Sequence, residues 1–455
     1  MMLRFLKPRL LCTFYLCWLV LFMLACSDRA PVVHHQAHKT IASRAASVPP
    51  AGQLAGQRQW QDTIGQDSPE IDTLARQVLA NIRAHGWNPQ AQTKGIVTGG
   101  LFINWKMDDP RHTNALRQGM DDATSGSHDP QVDLFYLNAL AEYQTLHPND
   151  HTFVAETQKA LHLIQQEFAR YSLPKGWIYF YLLRDGKLLH NDELIQDARA
   201  VASNYYTRWY DPTIGMVYNR AHTPGVYASE HSMTAGAALI DAGTRWQQSA
   251  WVQAGESTMK QVLSNAFNRS AHLFYNNMTV FSASQQQPMN TQAKPATEGA
   301  IVEALLRAYS VDHKQQYLDT AGAVLHSLFQ SNLFDHQNGG LFFAKDLSTG
   351  MLQASYKETR AQIHVLIGLL HYNQALQALG QPVRFMAEEQ QLIKLLATRF
   401  YQPTYHGYFY RMTPTFKIYT SSPGTGIGYE NFFTTEAMGL ALDSLQQTEV
   451  AHLTW

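Results

Sequence analysis

Beyond about residue 68 the chain is dominated by stretches in which apolar residues recur three and four apart, the spacing that gathers them on one face of a helix. About eleven such stretches are readable: one opening at Ser68-Pro69-Glu70, then roughly 130–146, 150–171, 192–209, 229–246, 250–267, 297–311, 314–333, 358–379, 386–401 and 434–447. Ser68 reads as an N-cap, followed by proline at the first helical position and an acid in the first turn. Two characters alternate. Thr297 to Leu306 and Thr435 to Leu442 are small and apolar on most faces, as helices crowded from all sides must be; Met386 to Lys394 is amphipathic, as an outer helix would be. Between 171 and 192 the run Gly176 to Leu183 alternates apolar and aromatic residues and fits strand, helix or lining loop.

A turn signature separates these helices. Its copies are Trp209-Tyr210-Asp211 to Gly215-Met216-Val217-Tyr218, Phe267-Asn268 to Leu273-Phe274-Tyr275, Phe334-Asp335 to Gly340-Leu341-Phe342-Phe343, and Phe400-Tyr401-Gln402 to Gly407-Tyr408-Phe409-Tyr410. From Gly215 the steps to His272 (standing where glycine would), Gly340 and Gly407 are about 57, 68 and 67 residues, the length of a helical hairpin plus a long loop and longer than common solenoid repeats. A series of such hairpins buries its apolar stripes most simply by closing into a ring. The expected fold is all-α, an (α/α)6 toroid over 68–448 with long aromatic loops at one end, followed by a short tail at 449–455. A complete ring needs a twelfth helix, and 171–192 is where it should fall.

The N-terminus adds a location. Met1 to Arg9 is a short basic segment, and Leu10 to Ala25 is apolar and ends at Cys26, the pattern of an export signal. Met23-Leu24-Ala25-Cys26 is similar to the bacterial lipobox, in which the cysteine is lipidated and becomes the mature N-terminus. Residues 1–25 are therefore expected to be a lipoprotein signal and 26–67 a flexible tether, with simple secretion or an uncleaved anchor as alternatives. His34, His35 and His38 in the tether fit a solvated segment better than a metal site. The expected location is the envelope of a bacterium, with the membrane as a partner through Cys26. All three cysteines lie within the first 26 residues, which leaves the domain with neither disulfide nor catalytic thiol. A net charge of −1 and the lack of a basic patch argue against nucleic acid. Phosphate-loop, dinucleotide, serine-elbow and His-Glu-x-x-His motifs are absent from the sequence, and neither cofactor nor metal is expected.

Candidate chemistry falls where the loops run into the all-apolar helices. Asp129, Glu230, Glu298, Glu358 and Glu436 stand at or near five helix starts. First-turn acids complement the helix dipole and cap free N–H groups, so a structural role explains each; yet all five would point toward one bowl. Met120 to Asp129 holds Asp121, Asp122 and Asp129, and an adjacent acid pair divides naturally into one protonated and one ionised group. Glycosidic cleavage needs that division. Glu230-His231 opens one helix, and Lys357, Arg360 and His364 lie at helical spacing at the start of another. Loop aromatics such as Trp177 and Tyr410 suit the apolar faces of sugar rings.

Gly340-Leu341-Phe342-Phe343, Lys357 to Gln362 and Glu430 to Glu436 resemble motifs of the six-hairpin carbohydrate-active superfamily, which holds N-acylglucosamine 2-epimerases, alpha-mannanases and some polysaccharide lyases. The resemblance implies an oligo- or polysaccharide substrate and, first, a glycoside hydrolase. Its mannanases use an adjacent Asp pair, which Asp121-Asp122 resembles; its epimerases use two histidines, for which His231 and His364 are the candidates. The resulting expectation makes Asp121 or Asp122 one catalytic partner and Glu298 or Glu358 the other. Arg360 and His231 would bind hydroxyls or an acidic sugar, and Asp129, Glu230, His364, Trp177 and Tyr410 are the further substrate-binding candidates. An epimerase or lyase, and a non-catalytic glycan- or protein-binding lipoprotein, are the alternatives.

Overall fold

The computed structural model describes residues 71–93, 96–106, 130–168, 175–419 and 432–450, all within one compact unit. Cys26, Asp121, Asp122, Asp129, the expected signal and tether, and the side chain of Glu436 lie outside the described residues.

Twelve α-helices run among them: α1 (Ile71–His85), α2 (Gln131–Leu146), α3 (Val154–Phe168), α4 (Trp177–Leu188), α5 (Asp192–Asn204), α6 (Ser229–Arg245), α7 (Ser249–Asn265), α8 (Pro295–Asp312), α9 (Gln315–Gln330), α10 (Thr359–Ala378), α11 (Met386–Thr398) and α12 (Thr435–Val450). The even-numbered helices touch in sequence, α2 to α4, α6, α8, α10 and α12, and α12 returns to α2, which closes an inner ring. Each packs against the odd-numbered helix that follows it, and α12 packs against α1, so the first and last of these helices form the sixth hairpin. The fold is the (α/α)6 toroid expected from the sequence, and α12 extends two residues past the boundary set at 448.

Burial follows this layering. In outer α1 the buried residues are Leu74, Ala75, Val78, Leu79 and Ile82, one stripe on an otherwise polar helix. Inner α8 buries almost every residue from Pro295 to Leu306, which is why it carries no clear stripe. The ambiguous segment after 171 is the twelfth helix, α4, buried without interruption from Ile178 to Gly186. With neighbours on all sides it needs no polar face, so its sequence shows no helical period.

Two inner helices meet backbone to backbone at a glycine. A Cβ on Gly299 of α8 would lie 2.3 Å from the carbonyl carbon of His364 in α10, closer than real Cβ atoms come. Glycine there lets the two helices touch.

The turn signature is a short antiparallel ladder, and among the described residues it occurs five times rather than four. Trp87–Asn88 pairs with Gly100–Leu101, Tyr210–Asp211 with Met216–Val217, Phe267–Asn268 with Leu273–Phe274, and Tyr401–Gln402 with Gly407–Tyr408, while Phe334 bridges Leu341. In each copy the polar residue after the aromatic accepts a backbone N–H two positions on: Asn88 from Gln90, Asp211 from Thr213, Asn268 from Ser270, Asp335 from Gln337, Gln402 from Thr404. A residue in the left-handed region turns the chain back. His272 does take the place of glycine, with φ 51°, and in the last copy His406 at φ 55°, not Gly407, is the counterpart of Gly215. All five ladders lie between the end of an outer helix and the start of an inner one, at one end of the ring.

Candidate functional site

At that end a cavity of about 450 Å³ opens among the starts of the inner helices. The second residue of each of four inner helices faces it: Val132 of α2, Glu230 of α6, Ala296 of α8 and Arg360 of α10. Loop residues complete the wall, among them Ile103, Lys175, Asn276, Asn277, Lys294, Phe343, Glu358, Tyr410 and Arg411.

Hydrogen bonds to the first residues of the inner helices bring these loops in. Ser229, which opens α6, donates its N–H to Asn276 O at 3.0 Å and its hydroxyl to Tyr275 O at 2.5 Å. Thr359, which opens α10, does the same with Tyr410 O at 3.0 Å and Phe409 O. Asn276 and Tyr410 are thereby fixed on the wall. Lys357–Glu358 pairs with Arg411–Met412, which sets Arg411 directly across the ladder from Glu358. The Arg411 guanidinium then reaches Glu358 Oε1 through Nε at 3.1 Å and Nη2 at 2.9 Å, and neither bond falls on Oε2. Its carbon lies 4.3 Å from the ring centre of Tyr356 and 5.0 Å from that of Tyr410, a stacked cation held flat by aromatics.

A second charged group joins α6 to α10. Glu230 Oε1 lies 3.3 Å from His231 Nε2 and 3.3 Å from Arg360 Nη2, while Arg360 Nε donates to His364 Nε2 at 3.3 Å. Burial alone would raise the Glu230 carboxyl, yet Arg360, His231 and His364 together hold it well below the usual range. Burial, helped by the Arg360 charge, pushes His364 down to about 4 against the pull of Glu230 and Asp443. Its imidazole is therefore neutral at physiological pH and accepts a hydrogen bond from the arginine.

The expected site residues divide clearly. Glu230, His231, Glu358, Arg360 and Tyr410 line the cavity together. His364 lies behind Arg360, and Trp177 stacks on Phe135 with ring centres 5.1 Å apart, so Phe135 rather than Trp177 meets the cavity. Glu298 is corrected. It is fully buried and outside the cavity wall, its Oε1 accepting the backbone N–H of Phe274 at 2.7 Å, and burial raises its carboxyl well above the usual range. The same work falls to Gln362 on α10, which accepts from Leu341 N at 2.8 Å, and to Asp133 on α2, which accepts from Leu101 N at 2.8 Å. These side chains pin the turn ladders to the ring. Lys357 is corrected as well: it precedes α10, is fully buried, and its ammonium donates to Asp335 Oδ2, Gly339 O and Pro414 O at 2.8, 2.6 and 2.9 Å. It ties three loop segments together, away from Arg360 and His364.

Lys175, Lys294 and Arg411 were not expected on the wall. Arg411 follows the last turn signature directly and Lys294 precedes the proline that opens α8, but only the folded pairing shows that both turn inward.

No protein-family model and no curated protein sequence matches the chain. Solved structures do match its fold. The unsaturated glucuronyl hydrolase of Bacillus sp. GL1 is similar over 84% of this chain and 96% of its own, with 12% identity and a TM-score of 0.61. A family 76 glycoside hydrolase from a bovine Bacteroides thetaiotaomicron strain is similar over 84% and 78%, with 7% identity and a TM-score of 0.60. A D-mannose isomerase is similar over 83% and 97%, with 11% identity and a TM-score of 0.55. The chain has the six-hairpin toroid fold that these proteins share. At such identities the likeness establishes the fold and leaves activity to be argued from the site.

Proposed function

We propose that the chain is a carbohydrate-active enzyme that hydrolyses a glycosidic bond in this cavity. The observation that carries the reading is Glu358, a carboxylate on the wall of a polar cavity, clamped through one oxygen by a stacked arginine and flanked by Tyr410 and Phe343. Hydrolysis takes two carboxyl groups, one donating a proton to the leaving oxygen and one activating water or attacking the sugar carbon. Glu358, paired with Arg411, takes the charged role. Asp121 or Asp122 is the acid, carried by the segment between Ile103 and Gln131, both of which line the cavity. Of the structures that share the fold, one is named a glycoside hydrolase and another a glucuronyl hydrolase, which agrees with this choice.

A second reading, sugar isomerisation or epimerisation, is favoured by the linked His231, Glu230, Arg360 and His364. His231 on the wall would move a proton beside the sugar carbonyl, with Arg360 beside it to stabilise developing charge. Envelope and plant polysaccharides incubated with the full chain separate the two. New reducing ends that disappear in both Asp122→Asn and Glu358→Gln support hydrolysis, and turnover unchanged in both variants rules it out. An isomerised or epimerised sugar whose formation needs His231 selects the second reading.

The same proposal places the enzyme at the cell envelope, tethered through a lipid on Cys26. Replacing Cys26 by serine should move the protein from the membrane to the soluble fraction; an unchanged distribution would remove the anchor from the reading.

A further inference from the structure

We propose that the cavity holds a subsite for an anionic group on its sugar, with Lys294 as the residue that binds it. The inference rests on the cavity being a sugar site.

Two carboxylates face the cavity, Glu230 and Glu358, and each is already paired with an arginine, Arg360 and Arg411 respectively. Besides Lys175, Lys294 is a further cation on the same wall. Its ammonium lies over the Phe343 ring, 5.0 Å from the centroid, and among the described residues it has no carboxylate within ion-pair distance. The side chain is half-buried, and burial lowers its pKa, with Glu358 and Glu230 pulling the other way and Arg360 and Arg411 adding to the drop. A partly desolvated ammonium with no ion-pair partner among the described residues is costly, and an anion arriving with the ligand would relieve that cost.

The backbone adds to the same sign. Helices α6, α8 and α10 all begin at the cavity; the first N–H of α6 and of α10 is taken by Asn276 O and Tyr410 O and α8 opens with a proline, so what these ends add is the direction of their dipoles. Three helix N-termini therefore turn their positive ends toward one space. Close by, Thr297 donates its hydroxyl to Asn276 Oδ1 at 2.5 Å, so the NH2 end of that amide is the end offered to a ligand. A neutral sugar has no use for this concentration of positive charge. A uronate or a sulfated sugar does.

The test is calorimetric titration of the full chain with D-glucuronate, glucose 6-sulfate and D-glucose, at low and high salt. The acidic sugars should bind at least about ten-fold more tightly than glucose, with the advantage shrinking as salt rises. The ranking of glucuronate against the sulfate tells which anion the subsite takes. Lys294→Met should weaken the acidic sugars by about ten- to a hundred-fold, the scale of a lost charged hydrogen bond, and leave glucose unchanged. Lys294→Arg should restore most of the loss. Equal binding of all three sugars, failure of both acidic sugars to bind, or an acid preference that survives in Lys294→Met overturns the subsite. The comparison on the unaltered chain decides the matter even where Lys294→Met does not fold. Turnover is a separate readout: acid preference without any reaction would sink the catalytic reading and leave the subsite standing, whereas hydrolysis without acid preference would do the reverse.

Discussion

Glu298 and Gln362 occupy the same place on neighbouring inner helices, the fourth residue of α8 and of α10, and each accepts the backbone N–H of the turn ladder above it, Phe274 at 2.7 Å and Leu341 at 2.8 Å. Gln362 also donates, to Leu341 O at 3.0 Å and Glu358 O at 2.9 Å. A protonated glutamic acid has the same acceptor and donor pair as glutamine. Burial raises the Glu298 carboxyl well above the usual range, which favours the protonated form in the folded chain.

Glu298→Gln should therefore preserve the fold. Because the folded pKa of Glu298 is raised, its stabilising contribution is complete below about pH 4.5 and declines as pH rises toward the folded value. The variant should lose that decline and be the more stable protein at neutral pH. Melting temperatures measured from pH 4 to 8 test this: parallel curves for the two proteins would show that Glu298 folds without its proton. Glu298→Ala, which strands the Phe274 N–H, should cost about 1–3 kcal/mol.

His364 works in the opposite direction. Its pKa falls from about 6.5 when unfolded to about 4 when folded, so the neutral ring stabilises the native state above the higher value. That contribution is lost as pH drops from 6.5 toward 4. Unfolding of His364→Asn in urea should depend less on pH across this window than unfolding of the parent. An equal dependence would mean that His364 titrates normally in the folded chain.

Arg411 supports Glu358 from across a two-residue ladder. Arg411→Met should leave a mostly buried carboxylate without its partner and lower stability by about 3 kcal/mol, seen as a reduced denaturation midpoint. Arg411→Lys should recover only part of this, since an ammonium reproduces neither the two bonds to Oε1 nor the stacking on Tyr356 and Tyr410. Full recovery by lysine would reduce the contact to simple charge.

Lys357 makes three hydrogen bonds in a fully buried position. Lys357→Met should cost about 3–5 kcal/mol by stranding Asp335 and two carbonyls, and should loosen the loops at 339 and 414 in hydrogen exchange. A small loss confined to overall stability, with those loops still protected, would mean that the turns hold themselves.

The ring was legible because its outer helices carry stripes and its turns repeat an aromatic, a side chain that caps two residues on, and a left-handed residue. Helix α4 was not, since a segment buried on all sides has no period to show. The first turn copy escaped because its two strands, Trp87–Asn88 and Gly100–Leu101, are separated by a longer insertion than in the later copies. In the site, Glu230, Arg360 and Glu358 could be found as charges at helix starts. Glu298 gave the same signal and was misplaced, because two positions along a helix separate the face toward the cavity from the face toward the turn. Arg411 and Lys294 needed the pairing itself: Arg411 meets a carboxylate 53 residues away, which local pattern does not encode.

The contact at Gly299 gives the cavity walls their spacing. Lys294 stands at the start of one of the touching helices and Arg360 at the start of the other, and between them His364 offers its own carbonyl to the glycine surface. No side chain lies there to yield, so the two helices have no soft layer on which to slide. The gap between these two cations is a dimension of the frame, and a ligand that fits it meets walls already in position.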